Sequence, residues 1–210
     1  MTTPALPQTC PVFPLSGAIL LPGGALPLNI FEPRYLAMVG DAMAGDRMIG
    51  MVQPRNDDDP PALHAVGGLG RITEFAETPD GRYLIVLTGV SRFRIVEELA
   101  VPTPYRQCRI DFGGFEADLA DPRPLAEGMR PELEQALRLY LDGQDLSADW
   151  DAVAQADDDA LVRTLSAVCP FPPIEKQALL EAADLPARAR LLVALMRFAP
   201  SAESPSTTLQ

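Results

Sequence analysis

The alternation of apolar and polar positions in the first fifty residues predicts two strands, a helix and a third strand in quick succession. The strands are expected over 12–15, 26–30 and Met48–Val52. The first two are separated by a loop with a Pro-Gly-Gly turn at 22–24, where the backbone reverses because glycine tolerates conformations that other residues do not. Four elements in about forty residues indicate the nucleus of a fold.

The helix of this nucleus has clear start and stop signals. Pro33 suits a first helical turn, because its fixed φ is helical and its missing N–H would be unpaired there. Glu32 places a carboxylate at the positive end of the helix dipole, and Gly45 is a typical C-terminal residue. The apolar positions at helical spacing, expected to be buried, are Tyr35, Leu36, Val39 and Met43.

The middle of the chain reads as a β-meander. Alternation at 72–77 and again at 92–96 predicts strands with one buried face, and the apolar run at 83–88 predicts a strand covered on both faces. A hairpin turn is expected at 79–81, where the sequence is Pro-Asp-Gly, and a last strand at 105–112. Six or seven strands are enough to curl into a small closed or half-closed barrel.

Beyond residue 128 the apolar positions recur with the period of helices. Helices are expected around 129–141, 161–168, 174–183 and 187–198, with a sharp proline-rich break at 170–173. The buried stripes expected for the first, second and last of these helices are Met129, Leu133, Leu137, Tyr140 and Leu141; Leu161, Leu165 and Val168; and Leu191, Leu192, Leu195 and Phe198.

These patterns predict an α+β protein with a β-barrel-like subdomain over 10–116 and a helical subdomain over 117–198. Residues 1–9 are expected to form a flexible lead, and the Ser/Pro/Thr-rich residues 199–210 a disordered tail.

The charge of the chain narrows the classes of partner. The formal net charge of −12 and the pI of about 4.4 argue against binding to a phosphate backbone or to an anionic membrane surface, both of which require clustered cations. Resemblance in shape to small RNA-associated barrels is outweighed by this charge.

The few cysteines and the single histidine limit the chemistry further. Cys10, Cys108 and Cys169 are widely spaced and odd in number, so no disulfide framework and no zinc motif is predicted. His64 alone gives little material for a metal site. The N-terminal residues lack a basic region and a long apolar core, and no apolar run approaches the ~20 residues of a membrane helix, so a reducing cytoplasm is the expected compartment.

No catalytic arrangement is predicted from the sequence. A Ser-Lys dyad would need Lys176, which lies in a helical pattern where a solvated lysine is favoured, and a Ser-His-Asp triad would need His64, for which a surface or half-buried position is favoured. Cys169 is expected to be a buried apolar thiol. No phosphate-binding loop ending in Gly-Lys-Ser/Thr is present.

Two segments could be considered as ligand-binding sites, but a structural role is favoured for each. The glycines of 67–70 continue into a strand instead of a helix N-terminus, so a bulge or a close backbone approach is favoured over a phosphate cradle. The acidic residues 57–59 lack the ligand spacing of a calcium-binding loop, so a solvated loop is favoured.

Several motifs in the same order resemble the N-terminal, substrate-binding domain family of Lon protease. They are FPL…LLPGG…PLNIFEPRYLAMV at the start, GGLGRI at 67–72, DGRYLIVLTG at 80–89, RFRI at 92–95 and KQALLE at 176–181. The resemblance covers roughly residues 10–198. It implies a PUA-like pseudobarrel followed by a helical bundle, without the ATPase and peptidase modules of a full Lon protease, and without cofactor or metal.

The function implied by the resemblance is non-catalytic recognition of polypeptide, including unfolded or exposed apolar segments, in a groove between the two halves. The residues expected to line or support the groove are Phe31, Glu32, Arg34, Tyr35, Arg92 and Phe93. Fold maintenance is the favoured alternative for Phe31, Tyr35 and Phe93, so Arg34 and Arg92 are the better functional candidates. A structural ion pair is the alternative to a binding role for Arg92. An exposed strand edge could also bind an extended peptide by strand pairing.

Two other functions stay open at this point. An adaptor or scaffold would bind one specific folded partner, such as a protease or chaperone component, with salt-sensitive selectivity. A small-molecule enzyme would require a pocket with convergent carboxylates or arginines, which the sequence does not offer. The sequence leaves the oligomeric state open.

Overall fold

The elements follow one another as six strands, a 3-10 helix and six α-helices in the computed structural model, which describes residues 6–121 and 124–199. The strands are β1 (Thr9–Pro14), β2 (Ala25–Ile30), β3 (Met48–Val52), β4 (Val66–Glu77), β5 (Tyr83–Glu98) and β6 (Gln107–Asp111). The α-helices are α1 (Pro33–Ala44), α2 (Met129–Gly143), α3 (Trp150–Gln155), α4 (Asp158–Val168), α5 (Pro173–Glu181) and α6 (Leu185–Phe198), and the 3-10 helix is Glu116–Leu119.

All six strands belong to one mixed sheet in the order β2-β5-β4-β3-β1-β6. β1 and β3 are parallel, and the other pairs are antiparallel. β6 also pairs with the C-terminal part of β5, because β5 is sixteen residues long and reaches past β2. The predicted α+β class is confirmed, while closure into a PUA-like pseudobarrel stays a prediction.

The predicted nucleus is present, with β1, β2, α1 and β3 in the expected order. α1 begins at Pro33 and is followed by Gly45, as its start and stop signals predicted. Its predicted buried stripe was wrong at two positions, since Leu36 and Met43 are only partly buried. The buried arc of the helix is centred between them and consists of Tyr35, Met38, Val39 and Ala42.

The predicted strands at 83–88 and 92–96 are one continuous strand, β5. The pairing of β5 with β4 and with β6 contains register shifts. These shifts interrupt the alternation of apolar and polar positions in the sequence, although the strand itself continues. The hairpin turn between β4 and β5 is confirmed, with the Thr78 N–H donating to the Arg82 carbonyl at 2.9 Å and Gly81 at a φ of 79°.

The described residues fall into two compact units. The first comprises residues 6–121 together with 169–181, so it holds the sheet, α1, the 3-10 helix and α5. The second comprises residues 124–168 and 182–199. A continuous helical subdomain over 117–198 therefore stays a prediction. Of the predicted flexible lead and disordered tail, residues 1–5 and 200–210 lie outside the described part of the chain.

The second unit is built on the packing of α6 against α2 and α4. Leu133, Leu137 and Tyr140 of α2 are buried as predicted. The predicted burial of Val168 and Phe198 was wrong, because each is the last residue of its helix and extends past the packed turns, with 66% and 86% of its surface exposed. In α6 the positions buried instead of Leu191 and Leu195 are Ala189, Val193 and Met196, beside Leu192.

The sequence did not predict α3, because six residues are too few to show a helical period. Its start is nevertheless encoded locally, since the Asp149 carboxylate accepts hydrogen bonds from the N–H groups of Asp151 and Ala152, both at 3.0 Å.

Two glycines of the sheet lie directly under the loop between β1 and β2. A Cβ on Gly68 would be 1.9 Å from the carbonyl oxygen of Leu20, and a Cβ on Gly89 would be 2.0 Å from that of Leu21. The loop backbone therefore occupies the space of two absent side chains. This confirms that the glycine run at 67–70 marks a close backbone approach.

Arg92 is a buried cation that connects three segments of the first unit. Its side chain is 3% exposed, and its Nε and Nη2 donate to the Asp118 carboxylate at 2.9 and 2.8 Å. Its Nη1 donates to the carbonyl of Leu180 at 3.1 Å, and its guanidinium lies 4.7 Å from the ring centre of Phe115. The structural ion pair considered for Arg92 is thus present, and it fixes the 3-10 helix and α5 to β5.

A second buried polar group holds α5 from the other side. Gln53 is 1% exposed, and its amide donates to the carbonyl of Pro173 at 3.0 Å and to the Gln177 side chain at 3.1 Å. Gln177 in turn donates to the carbonyl of Val66 at 3.1 Å. Buried amides with satisfied donors fix one position of the helix on the sheet, since displacement would leave them unpaired.

Replacing Gly68 by alanine is expected to lower the free energy of unfolding by about 1–3 kcal/mol, because the new Cβ would overlap the Leu20 carbonyl oxygen. The matched control is Gly40→Ala in α1, where nothing lies within 4 Å of the new Cβ and helix propensity favours a gain of about 0.5–1 kcal/mol. Urea denaturation followed by circular dichroism measures both. A Gly68→Ala protein as stable as Gly40→Ala would contradict the close approach.

Replacing Arg92 by methionine is expected to destabilise the protein by about 3–5 kcal/mol, because the Asp118 carboxylate then stays buried without its partner. The double variant Arg92→Met with Asp118→Leu is expected to recover most of the loss. Arg109→Met is the control, since it removes an ion pair with Glu97 whose side chains are 50% and 51% exposed, and its unfolding midpoint should not change. Equal midpoints for Arg92→Met and Arg109→Met would show that the buried pair does not stabilise the fold.

Candidate functional site

One end of the sheet, where β2 ends and β5 begins, exposes apolar side chains. There Ile30 lies opposite Tyr83, and Tyr83 lies opposite Glu77 near the end of β4. We call the apolar side chains at this place the distal sheet end: Phe31, Phe75, Tyr83 and Leu84. Phe75, Tyr83 and Leu84 lie on the parts of β4 and β5 that pair with neither β3 nor β6, and Phe31 directly follows β2.

Three large apolar side chains of the distal sheet end are exposed. Phe31 is 63% exposed, Leu84 is 46% exposed and Phe75 is 42% exposed. The rings of Phe75 and Tyr83 are in contact on one face of the sheet, with centres 5.0 Å apart, whereas Leu84 follows Tyr83 and projects from the other face. Exposed apolar side chains are therefore present on both faces of the sheet at this end.

The residues that follow Phe31 add a charged rim. Arg34 donates from Nε to the Glu32 carboxylate at 2.9 Å, and both side chains are nearly half exposed. The Arg34 guanidinium lies 4.6 Å from the ring centre of Tyr35. Tyr35 is itself buried, with its ring centre 4.3 Å from that of Phe13, and burial raises the pKa of its hydroxyl.

The six residues expected to form one site are therefore divided. Phe31, Glu32 and Arg34 are accessible and adjacent, and Tyr35 lies beneath them in the core. Arg92 and Phe93 are 2% and 0% exposed and belong to the interior of the sheet. Phe93 packs in a second buried cluster of Cys10, Val12, Met48, Val52, Leu69, Cys108 and Ile110.

The core interpretation of Phe31 was wrong. Phe31 follows the last residue of β2 and precedes the first turn of α1, so neither element directs its side chain inward. Sequence reasoning also missed Phe75, Tyr83 and Leu84. The apolar run at 83–88 predicted a strand covered on both faces, whereas Leu84 is 46% exposed although it pairs with β2 and β4 on either side.

The free edge of β2 is poorly suited to pairing with another strand. The N–H of Gly89 donates to the carbonyl of Gly24, so in the antiparallel ladder the backbone groups of 26, 28 and 30 face β5. The outward positions are therefore Ala25, Pro27 and Asn29. Pro27 has no N–H, which removes the central donor of this edge.

The residues considered for catalysis are not arranged as a reactive site. His64 is half buried and lines a pocket of about 360 Å³. Arg106, which lines the same pocket, donates hydrogen bonds to the Glu98 carboxylate and to the Pro61 carbonyl. Burial raises the pKa of the Cys169 thiol to about 11, away from the thiolate form at neutral pH.

Lys176 differs from the solvated lysine that the sequence predicted. It is half buried on α5, and desolvation lowers the pKa of its ammonium group. Within residues 6–121 and 124–199 no cluster of three or more His, Cys, Asp or Glu side chains could hold a metal ion. In the same residues no helix has the length and hydropathy needed to cross a bilayer.

Comparison with known proteins identifies the family to which the chain is similar. The model of the ATP-dependent protease La (LON) substrate-binding domain matches residues 9–197. Lon protease 2 of Myxococcus xanthus is 30% identical over 201 residues, which are 91% of this chain and 24% of that protein. Lon protease of Anaeromyxobacter dehalogenans is 27% identical over 199 residues, 91% of this chain and 23% of that protein. The chain thus spans about a quarter of the length of these relatives.

Two solved structures share the fold. The Lon N-terminal domain protein from Xanthomonas campestris superposes with a TM-score of 0.65 at 23% identity, covering 89% of this chain and 97% of that one. The N-terminal domain of Mycobacterium avium complex Lon protease gives a TM-score of 0.65 at 18% identity, covering 90% and 98%. With the family model matched from the first strand to the last helix, the chain belongs to the LON substrate-binding domain family.

Proposed function

We propose that this protein is a non-catalytic polypeptide-recognition module that binds exposed apolar segments of unfolded proteins at the distal sheet end. The observation that carries the proposal is the exposure of Phe31, which is 63% accessible beside the half-exposed Phe75 and Leu84. An exposed apolar surface of this kind is costly in water and is a common mark of an interaction site. The substrate-binding description of the family supports the same role.

Recognition through side chains fits this surface better than strand addition. An added strand would need donors and acceptors along β2, and Pro27 removes the central donor from the outward edge. Aromatic side chains accept many apolar sequences, because contact with a ring does not require one backbone register. A site of this kind would bind many unfolded segments weakly.

The other predicted residues take roles that match their positions. Glu32 and Arg34 border Phe31 and are accessible, so we place them at the rim of the site. Tyr35 supports the rim from the core, through its contact with Arg34 on one side and Phe13 on the other. Arg92 and Phe93 are buried, so their contribution is to hold the sheet that presents the surface.

Replacing Phe31 by serine is expected to weaken binding of an unfolded protein at least fivefold, because the most exposed ring of the site is lost. The probe is fluorescently labelled α-lactalbumin that has been reduced and carboxymethylated so that it cannot fold, measured by fluorescence anisotropy. Phe198→Ser is the matched control: it removes a phenylalanine that is 86% exposed on α6 and should leave binding within twofold of wild type.

Circular dichroism and the unfolding midpoint establish that both variants fold, which their exposure predicts. Equal binding by wild type and Phe31→Ser, or equal weakening by both variants, would refute recognition at the distal sheet end. If unfolded α-lactalbumin does not bind at all and one folded protein is retained stoichiometrically from a cell extract, the adaptor function replaces this proposal.

A further inference from the structure

Around the distal sheet end, the arginines are paired with carboxylates, but some carboxylates are not paired with a cation. Its two cations, Arg34 and Arg82, are each paired with a carboxylate two residues away in the sequence, Glu32 and Asp80. The Arg82 Nη2 lies 2.6 Å from the Asp80 carboxylate in the turn between β4 and β5. These guanidinium groups are therefore already neutralised by the chain itself.

Two carboxylates at the same place have no such partner. Glu74 and Glu77 flank Phe75 along β4, both are exposed, and within the described residues neither forms an ion pair. Glu74 lies opposite Val86, and Glu77 lies opposite Tyr83. Because these partners are on opposite faces of the sheet, one carboxylate borders the apolar surface on each face.

The local and the overall charge have the same sign. Four carboxylates against two guanidinium groups leave the distal sheet end with a net charge of −2, in a chain whose formal net charge is −12. A cationic ligand is therefore attracted at long range and meets uncompensated carboxylates at short range, whereas an anionic ligand is repelled at both.

We propose that the distal sheet end selects apolar segments flanked by lysine or arginine over the same segments flanked by aspartate or glutamate. This inference rests on the proposed function, since it assigns a ligand class to the same surface. The apolar core of the segment contacts exposed apolar side chains of this surface, and its flanking cations lie near Glu77 on the face of Phe75 or near Glu74 on the face of Leu84. Exposed ion pairs are weak and screened by salt, so the selectivity should be modest and salt-dependent.

The test uses three labelled peptides with one apolar core, Leu-Phe-Leu-Trp-Leu, flanked on both sides by two lysines, two serines or two glutamates. At 50 mM salt the full-length protein is expected to bind the lysine peptide about five- to tenfold more tightly than the glutamate peptide, with the serine peptide between them. At 500 mM salt the three affinities should converge, because a Debye length of about 4 Å then screens the pairs.

Two charge-matched variants separate the local carboxylates from the net charge. Glu74→Gln with Glu77→Gln is expected to reduce the lysine-over-glutamate preference to about twofold. Asp142→Asn with Asp145→Asn changes the net charge equally at exposed positions of the second unit and should keep the preference.

Each outcome bears on one claim. If the serine peptide does not bind, the proposed function fails together with this inference. If all three peptides bind equally at low salt, the surface recognises apolar segments without charge selection, and only this inference is overturned. If both double variants lose the preference equally, selection comes from the overall charge of the chain, and the role of Glu74 and Glu77 is refuted.

Discussion

The buried guanidinium of Arg92 is the constraint on which the first unit depends. A charge removed from water is tolerated only when it is paired and its hydrogen bonds are made, and here the partners come from the 3-10 helix and from the carbonyl of Leu180 in α5. Those partners are 26 and 88 residues away in sequence. Because removing either would strand a charge in the interior, the sheet, the 3-10 helix and α5 are held in one arrangement.

Because the interior of the first unit is held in one arrangement, the exposed side chains of the distal sheet end have fixed positions. β4 and β5 continue beyond their pairing with β3 and β6, and Phe75 and Leu84 near these ends are exposed to solvent. For the recognition that we propose at the distal sheet end, a preformed surface favours affinity, since ordering it on binding would cost free energy. The weak, sequence-tolerant contacts of aromatic side chains suit ligands that share only an apolar character.

The local elements were largely predictable, and the side chains at the site were not. Pro33 and Gly45 define α1 through backbone preferences that act within one turn, so sequence reasoning found both ends. Phe31 looked like a core residue because it lies in a dense apolar motif, and Leu84 looked covered because it lies in an apolar run. Both errors have the same cause: a sequence pattern shows which positions of an element are apolar, but it does not show whether another part of the chain packs against them.

The sequence by itself determined the β1-β2-α1-β3 nucleus, the hairpin turn before β5, the close approach at the glycine run and the family resemblance. These features follow from short-range sterics and from motifs that are contiguous in the chain. Only the tertiary structure decided that Arg92 pairs with Asp118, that α5 belongs with the sheet and that Phe31, Phe75 and Leu84 share one exposed end. The physical reason is that burial and ion pairing depend on which distant segments share a volume, and twenty-nine carboxylates offered partners that sequence spacing could not rank.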